Sequence, residues 1–128
     1  LDAPCTGLGA LRRRPESRYR RQARDVSELS TLQRQLFESA WMGLRPGGVL
    51  AYVTCSPHPA ETVGIIDWAE KTYGQAVELL DATQILQEVS PALAEGSRAI
   101  SSGRKTVQLW PHRQGTDAMF IALLRKRK

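Results

Sequence analysis

The chain has 128 residues, 41% hydrophobic and 24% charged, with a formal net charge of +5. That is one ordinary domain with enough apolar material for a core, and no apolar run approaches the ~20 residues that span a bilayer. There is no secretory signal pattern, and two cysteines do not make a disulfide scaffold, so a reduced, cytoplasmic protein with no membrane association is expected.

Leu1-Asp2-Ala3 reads as the end of a strand that enters a turn-rich loop, Pro4-Cys5-Thr6-Gly7-Leu8-Gly9. A nucleotide-type α/β domain carries a Gly-rich βα turn upstream of such a point, with an acidic residue beyond it for a ribose. Neither is present, and Gly7-Leu8-Gly9 is no substitute, because polar, Arg-rich sequence follows it. The chain is therefore expected to be part of a longer protein.

A basic loop follows at 11–24. Arg12, Arg13, Arg14, Arg18, Arg20, Arg21 and Arg24 stand there against Glu16, a net of +6. Residues 125–128 add +4, whereas 25–124 sum to −4, so the positive charge belongs to two patches. Such blocks are commonly nucleic-acid contacts; a solvated loop and a frayed tail look the same. Arginine favours phosphate or base stacking because guanidinium is planar and bidentate, and Tyr19 within the run can stack on a base. So much like charge is expected to keep the loop mobile without an anion.

Asp25 is placed as an N-cap, with Glu28 completing a capping box. Val26, Leu29, Leu32, Leu36, Phe37 and Ala40 recur at helical spacing and predict a helix of about four to five turns. Pro46-Gly47-Gly48 is a turn. Val49–Thr54 is a short β-prone run that predicts a strand buried on both faces. A helix is expected to start near Pro59, with Glu61 in its first turn. Val63, Ile66, Trp68 and Ala69 supply its buried face, and Gly74 ends it. Ala76–Leu80 reads as another strand. Residues 81–105 are irregular, with one helical turn near Thr83–Val89. Thr106–Trp110 and Met119–Leu124 read as strands around a Pro111–Asp117 loop, which Asp117 is expected to hold. Trp41, Trp68 and Trp110 are assigned to the core. His58 and His112 sit in Pro-flanked loops without metal-like spacing, so no metal is expected. Strands alternating with helices point to an α/β fold.

Cys5 and Cys55 each fall just past a strand end, at the start of a loop. In an open α/β sheet reactive groups collect at the carboxyl ends of strands, so two thiols converging there suggest covalent chemistry followed by a second thiol step. Asp2-Ala3-Pro4-Cys5-Thr6-Gly7 and Thr54-Cys55-Ser56, with Thr116-Asp117-Ala118-Met119-Phe120 near the end, resemble motifs of the Sun (Fmu) family of S-adenosylmethionine-dependent RNA cytosine-5 methyltransferases. The resemblance runs from Asp2 to the final Arg/Lys run. Three positions depart from it: Thr6 for Ser, Thr62 where Glu-Asn is usual, and Ala118 for Gly.

The resemblance implies the C-terminal part of a Rossmann-like class I methyltransferase sheet with flanking helices, residues 1–128 being part of a single catalytic domain whose donor-binding half lies outside. It implies S-adenosylmethionine as cofactor, structured RNA, ribosomal RNA first of all, as substrate, Cys55 as nucleophile, Cys5 in product release and Asp2 on the cytosine edge. Asp2 and Pro4 would border the donor site. Cytosine carbon 5 is a poor nucleophile until a thiolate adds to carbon 6 and makes the ring an enamine. Cys55, a few residues before the helix expected at Pro59, has a setting that favours the thiolate. By itself the piece is expected to be inactive and, with sheet neighbours missing, open to self-association through an unpaired edge. A non-catalytic RNA-binding module using the Arg loop is the alternative. A redox protein is a third, against which the lack of a Cys-x-x-Cys pair counts.

Overall fold

The computed structural model describes residues 1–94 and 104–128. Its four strands are β1 (Val49–Thr54), β2 (Val77–Leu80), β3 (Val107–Gln108) and β4 (Phe120–Lys126). Its helices are α1 (Ser17–Arg20), α2 (Ala23–Gly43), α3 (Val63–Tyr73), α4 (Ala82–Val89), α5 (Pro91–Ala94) and α6 (Pro111–Gln114). The alternation expected of an α/β fold is present.

β4 is the axis of the sheet. β1 pairs with one edge of it, antiparallel from Val49 opposite Arg125 to Thr54 opposite Phe120. Two short strands share the other edge, β2 against Leu123–Lys126 and β3 against Phe120–Ile121, both antiparallel. The free edge of β1 receives the first residues in parallel. Asp2 lies opposite Val53, the Ala3 amide donates to the Val53 carbonyl at 2.8 Å, and the Val53 amide donates to the Leu1 carbonyl at 3.0 Å. Two adjacent parallel segments thus end side by side, at Pro4-Cys5 and at Cys55.

β1 is rich in β-branched and aromatic residues, which suit a pleated surface. Only one of its faces is fully buried, by Leu50, Tyr52 and Thr54; Val49 is exposed and Ala51 and Val53 are half-buried. The expectation of burial on both faces is corrected to this alternation.

α2 starts earlier and runs longer than the apolar spacing suggested, over 21 residues. Its N-cap is Gln22, and Asp25 is the reciprocal partner three residues in, accepting from the Gln22 amide at 3.0 Å. The capping box is real but displaced by one turn. The buried stripe is Ser30, Gln33, Phe37 and Trp41, while Leu32 is exposed. Ahead of α3, residues 59–61 form a single 3-10 turn, so the α-helix begins at Val63 rather than Pro59. It ends at Gly74, whose φ of 51° a side chain would strain.

The main core joins α2, α3 and the sheet through Phe37, Trp41, Tyr52, Ile65, Ile66, Phe120 and Leu124. Phe37 is its hub, with ring centroids 6.0 Å from Trp41 and 5.8 Å from Trp68. Trp110 lies outside the two core clusters, half-buried beside His112, a correction to its assignment. A smaller cluster holds Ala82, Val107 and Leu109. The stretch 81–105, expected to be irregular, contains two-turn α4, capped by Asp81 accepting from the Thr83 and Gln84 amides, and α5. Its residues 95–103 lie outside the described residues.

The basic run at 125–128 is drawn into the fold. Lys126 Nζ donates to the carbonyls of Trp41 and Leu44, both at 2.9 Å, closing the C-terminal end of α2 where a cation is favoured. Arg125 and Arg127 lie 3.5 and 3.9 Å from Glu78. Among the described residues no helix is long and apolar enough to cross a membrane.

Candidate active site

The parallel ends of Leu1–Ala3 and β1 deliver the two cysteines to one place. Cys5 Sγ lies 3.4 Å from Cys55 Sγ, and both residues are free thiols of intermediate burial. Burial pushes the Cys5 thiol up to about 12, with Cys55 beside it adding to the rise and the Gly7 backbone opposing it. Cys5 therefore holds its proton at neutral pH and can donate S–H to the Cys55 sulfur.

The third motif closes the same loops. The Gly9 amide donates to the Cys55 carbonyl, and the Ala118 amide to the Gly9 carbonyl, each at 2.9 Å. Gly7, at φ 71°, turns the chain between Cys5 and this contact.

Sequence reasoning gave Glu61 a place in a helix's first turn and, with Thr62, the position where the resembled family usually has Glu-Asn, but no role. The structure buries it completely. Its Oε1 accepts from the Thr6 amide at 2.8 Å and Gln33 Nε2 at 3.4 Å. Its Oε2 accepts from Thr6 Oγ1 and from Ser56 Oγ, both at 2.6 Å. Gln33 Nε2 also donates to the Pro4 carbonyl at 2.9 Å, and Tyr52 OH to the Glu61 carbonyl at 2.9 Å. The available signal was a carboxylate five positions after Ser56 in a segment with no Lys or Arg between Arg45 and Lys71.

Asp2 and Pro4 are exposed and flank buried Ala3. In extended chain, alternate residues share a face, so a carboxylate and a proline ring stand together on the open side of the loop.

The basic stretch 11–24 includes α1 and the first residues of α2, and its arginines fall into two sets. Arg13 grips the Asp117 carboxylate with Nε at 3.0 and 2.9 Å and with Nη2, and Arg12 reaches Asp117 at 3.5 Å and donates to the Gly115 carbonyl at 2.8 Å. The Arg13 guanidinium holds the Asp117 carboxyl below its usual range. Arg21 Nε donates to the Thr6 carbonyl at 2.9 Å, tying the stretch to the Cys5 loop. Arg14, Arg20 and Arg24 are exposed and have no side-chain partner among the described residues. Arg18 lies over the ring of exposed Tyr19, 4.9 Å from its centroid. The repulsion expected to loosen this stretch is relieved at Arg12 and Arg13, and Asp117 holds its loop as expected.

His58 Nδ1 accepts from the Ala60 amide at 3.2 Å and caps the 3-10 turn. Among the described residues no group of His, Cys, Asp or Glu is placed to hold a metal ion.

Known proteins resemble this chain along nearly all of its length. Putative methyltransferase Rv1407 of Mycobacterium tuberculosis is 53% identical over 98% of the chain, and Ribosomal RNA small subunit methyltransferase F of Escherichia coli O9:H4 is 32% identical over the same share. In both cases the chain spans 25% of the relative's length. The solved structure of NSun6 from Pyrococcus horikoshii with SFG superposes with a TM-score of 0.74 at 29% identity, covering 100% of this chain and 29% of that one. PH0851 superposes at 0.79 with 33% identity, covering 98% and 26%. Residues 1–125 match the family model described as 16S rRNA methyltransferase RsmB/F, and the chain belongs to that RsmB/F (Sun/Fmu) methyltransferase family.

Proposed function

We propose that the protein carrying this chain methylates carbon 5 of cytosine in RNA, ribosomal RNA being the substrate that its relatives' names favour, in the cytoplasm. The contact of Cys5 with Cys55 carries the reading. Two thiols 3.4 Å apart at adjacent strand ends suit a reaction in which one sulfur bonds the base and the other attends its departure.

Cys55 thiolate adds to cytosine carbon 6, forming a C–S bond and moving the ring's electron pair to carbon 5. S-adenosylmethionine, whose edge Asp2 and Pro4 would border, would supply the methyl group to carbon 5 as an electrophile, its S–CH3 bond breaking to leave the neutral thioether. Carbon 5 then loses its proton to water, the C–S bond breaks, and the double bond returns. The negative charge developing on the Cys55 sulfur meets the Cys5 S–H, which burial keeps protonated. Asp2 reads the polar edge of the base. A base within a helix has to be turned out of the stack to reach Cys55. Arg14, Arg18, Arg20 and Arg24, with Tyr19, face the RNA, while Arg12, Arg13 and Arg21 brace that surface.

RNA carrying 5-fluorocytidine tests the covalent step, because carbon 5 then has no proton to lose. The full-length protein should give a protein–RNA band that survives denaturation and disappears in Cys55→Ala. Absence of a band with the native protein, given donor and a substrate it methylates, would overturn the mechanism.

A further inference from the structure

We infer that Glu61 is the positioning residue that sets the two cysteines against each other. This rests on the methyltransferase reading above. The residue following each cysteine, Thr6 after Cys5 and Ser56 after Cys55, donates its hydroxyl to the same oxygen, Glu61 Oε2, at 2.6 Å. The sulfurs one residue back stand 3.4 Å apart.

A carboxylate offers only acceptors, and what meets this one is a set of donors. Oε1 holds the Thr6 backbone amide, which fixes the Cys5 loop by its main chain as well as its side chain. Ser56 Oγ accepts from the His58 amide at 3.1 Å, which leaves its proton free for Glu61. The Tyr52 hydroxyl holds the Glu61 carbonyl, and Gln33 bridges Glu61 to the Pro4 carbonyl. Strand, helix and both cysteine loops thus meet at one residue.

Stability alone does not require this arrangement. A buried carboxylate with no cation beside it is costly, and apolar packing often serves as well. Among the described residues no Lys or Arg contacts Glu61. What the carboxylate uniquely provides is a shared acceptor for two loops 50 residues apart. Neither hydroxyl reads as catalytic, since both are wholly buried and aimed away from solvent into Glu61. The same geometry accounts for Thr in place of Ser at position 6, because either residue supplies the hydroxyl.

Glu61→Gln in the full-length protein is the test, with Thr6→Ser and Ser56→Ala beside it. A glutamine keeps the size but turns one acceptor oxygen into a donor, which faces the Thr6 amide or the two hydroxyls. A displacement of about 1 Å can cost roughly 100-fold in rate, so kcat should fall by that order while KM for RNA moves less than about 2-fold. The second readout needs neither RNA nor donor. Dibromobimane bridges neighbouring thiols, and the Cys5–Cys55 bridge, located by peptide mass spectrometry, should form about 10-fold more slowly in Glu61→Gln if orientation is lost. Ser56→Ala, which removes one donor to Glu61 together with the acceptor of the His58 amide and leaves the carboxylate itself in place, should move both readouts in the same direction. Thr6→Ser should leave both unchanged. Unchanged bridging in Glu61→Gln and Ser56→Ala would overturn the inference, whatever happens to kcat. Slowed bridging in a protein whose native form methylates no RNA would uphold it and sink the methyltransferase reading instead.

Discussion

Gly9 and Ala118 meet backbone to backbone, the Ala118 amide donating to the Gly9 carbonyl at 2.9 Å. A Cβ on Gly9 would sit 2.3 Å from the Ala118 carbonyl oxygen and 2.7 Å from that of Cys55. These neighbours are main chain and cannot swing aside. All three motifs that carry the family resemblance therefore pass through one residue without a side chain.

Gly9→Ala should accordingly spread the Cys5 loop from both partners. Overpacking of this kind costs about 1–3 kcal/mol, and urea unfolding should show a loss of that order. Stability unchanged within error would mean that the loop relaxes freely and the contact is incidental.

The two thiols should separate in their mutants. With ordinary RNA and donor, Cys5→Ala should add Cys55 to the base and then release it slowly, so that a protein–RNA band builds up on a denaturing gel. Cys55→Ala, and the double mutant, should show none. A band with Cys55→Ala and none with Cys5→Ala would reverse the assignment.

Cys5 should resist alkylation near neutrality. A thiol held at about 12 is ionised to roughly one part in ten thousand at pH 8, against about a quarter for an ordinary cysteine near 8.5. Iodoacetamide labelling of Cys5, followed by mass spectrometry, should be far slower than in urea and should accelerate up to the edge of alkaline unfolding. The folded state holds this proton more tightly than the unfolded chain does, so its contribution to stability is complete below about 8.5 and is lost as pH rises toward 12. Labelling as fast as in the unfolded chain would remove the premise.

The arginines should divide by function. Neutralising Arg14, Arg20 and Arg24 should flatten the salt dependence of RNA binding, by roughly 0.7 to 0.9 in log–log slope for each phosphate no longer paired, and leave the melting temperature alone. Asp117→Asn should instead loosen the segment, seen as faster hydrogen exchange over 11–21. Because Arg13 lowers the Asp117 pKa, that tether is complete above the ordinary carboxylate value of about 3.9 and is lost as pH falls below it. An unchanged salt slope in the triple variant would make these residues plain surface.

The sequence made legible what depends on local pattern. β1, the end of α3 at Gly74 and the two cysteine loops follow from apolar runs and turn residues. The capping box of α2 is legible, but the local pattern points to Asp25 as the cap, because Gln22 is an unusual cap and Asp25 fits either role. The buried stripe of α2 was harder to see, since Ser30 and Gln33 are polar and apolar spacing ignores them. The burial of Gln33 is explained only by partners distant in sequence, the Pro4 carbonyl and Glu61. Glu61 was hidden for the same reason, as its donors come from residues 6, 33 and 56. The order β1-β4-β2 and the use of Lys126 to close α2 are likewise pairings at long range, invisible to a local reading.

The central place of β4 also bears on how the protein is made. Every pairing between the four strands involves β4, the last of them in sequence. Synthesis runs from the N-terminus, and contacts between distant residues form late. β1 and β2 therefore leave the ribosome with edges that β4 does not yet cover, which is when a growing chain is most open to chaperones and to misassembly. A ribosome stalled before Phe120 would carry both cysteines on a β1 whose other edge β4 has yet to cover.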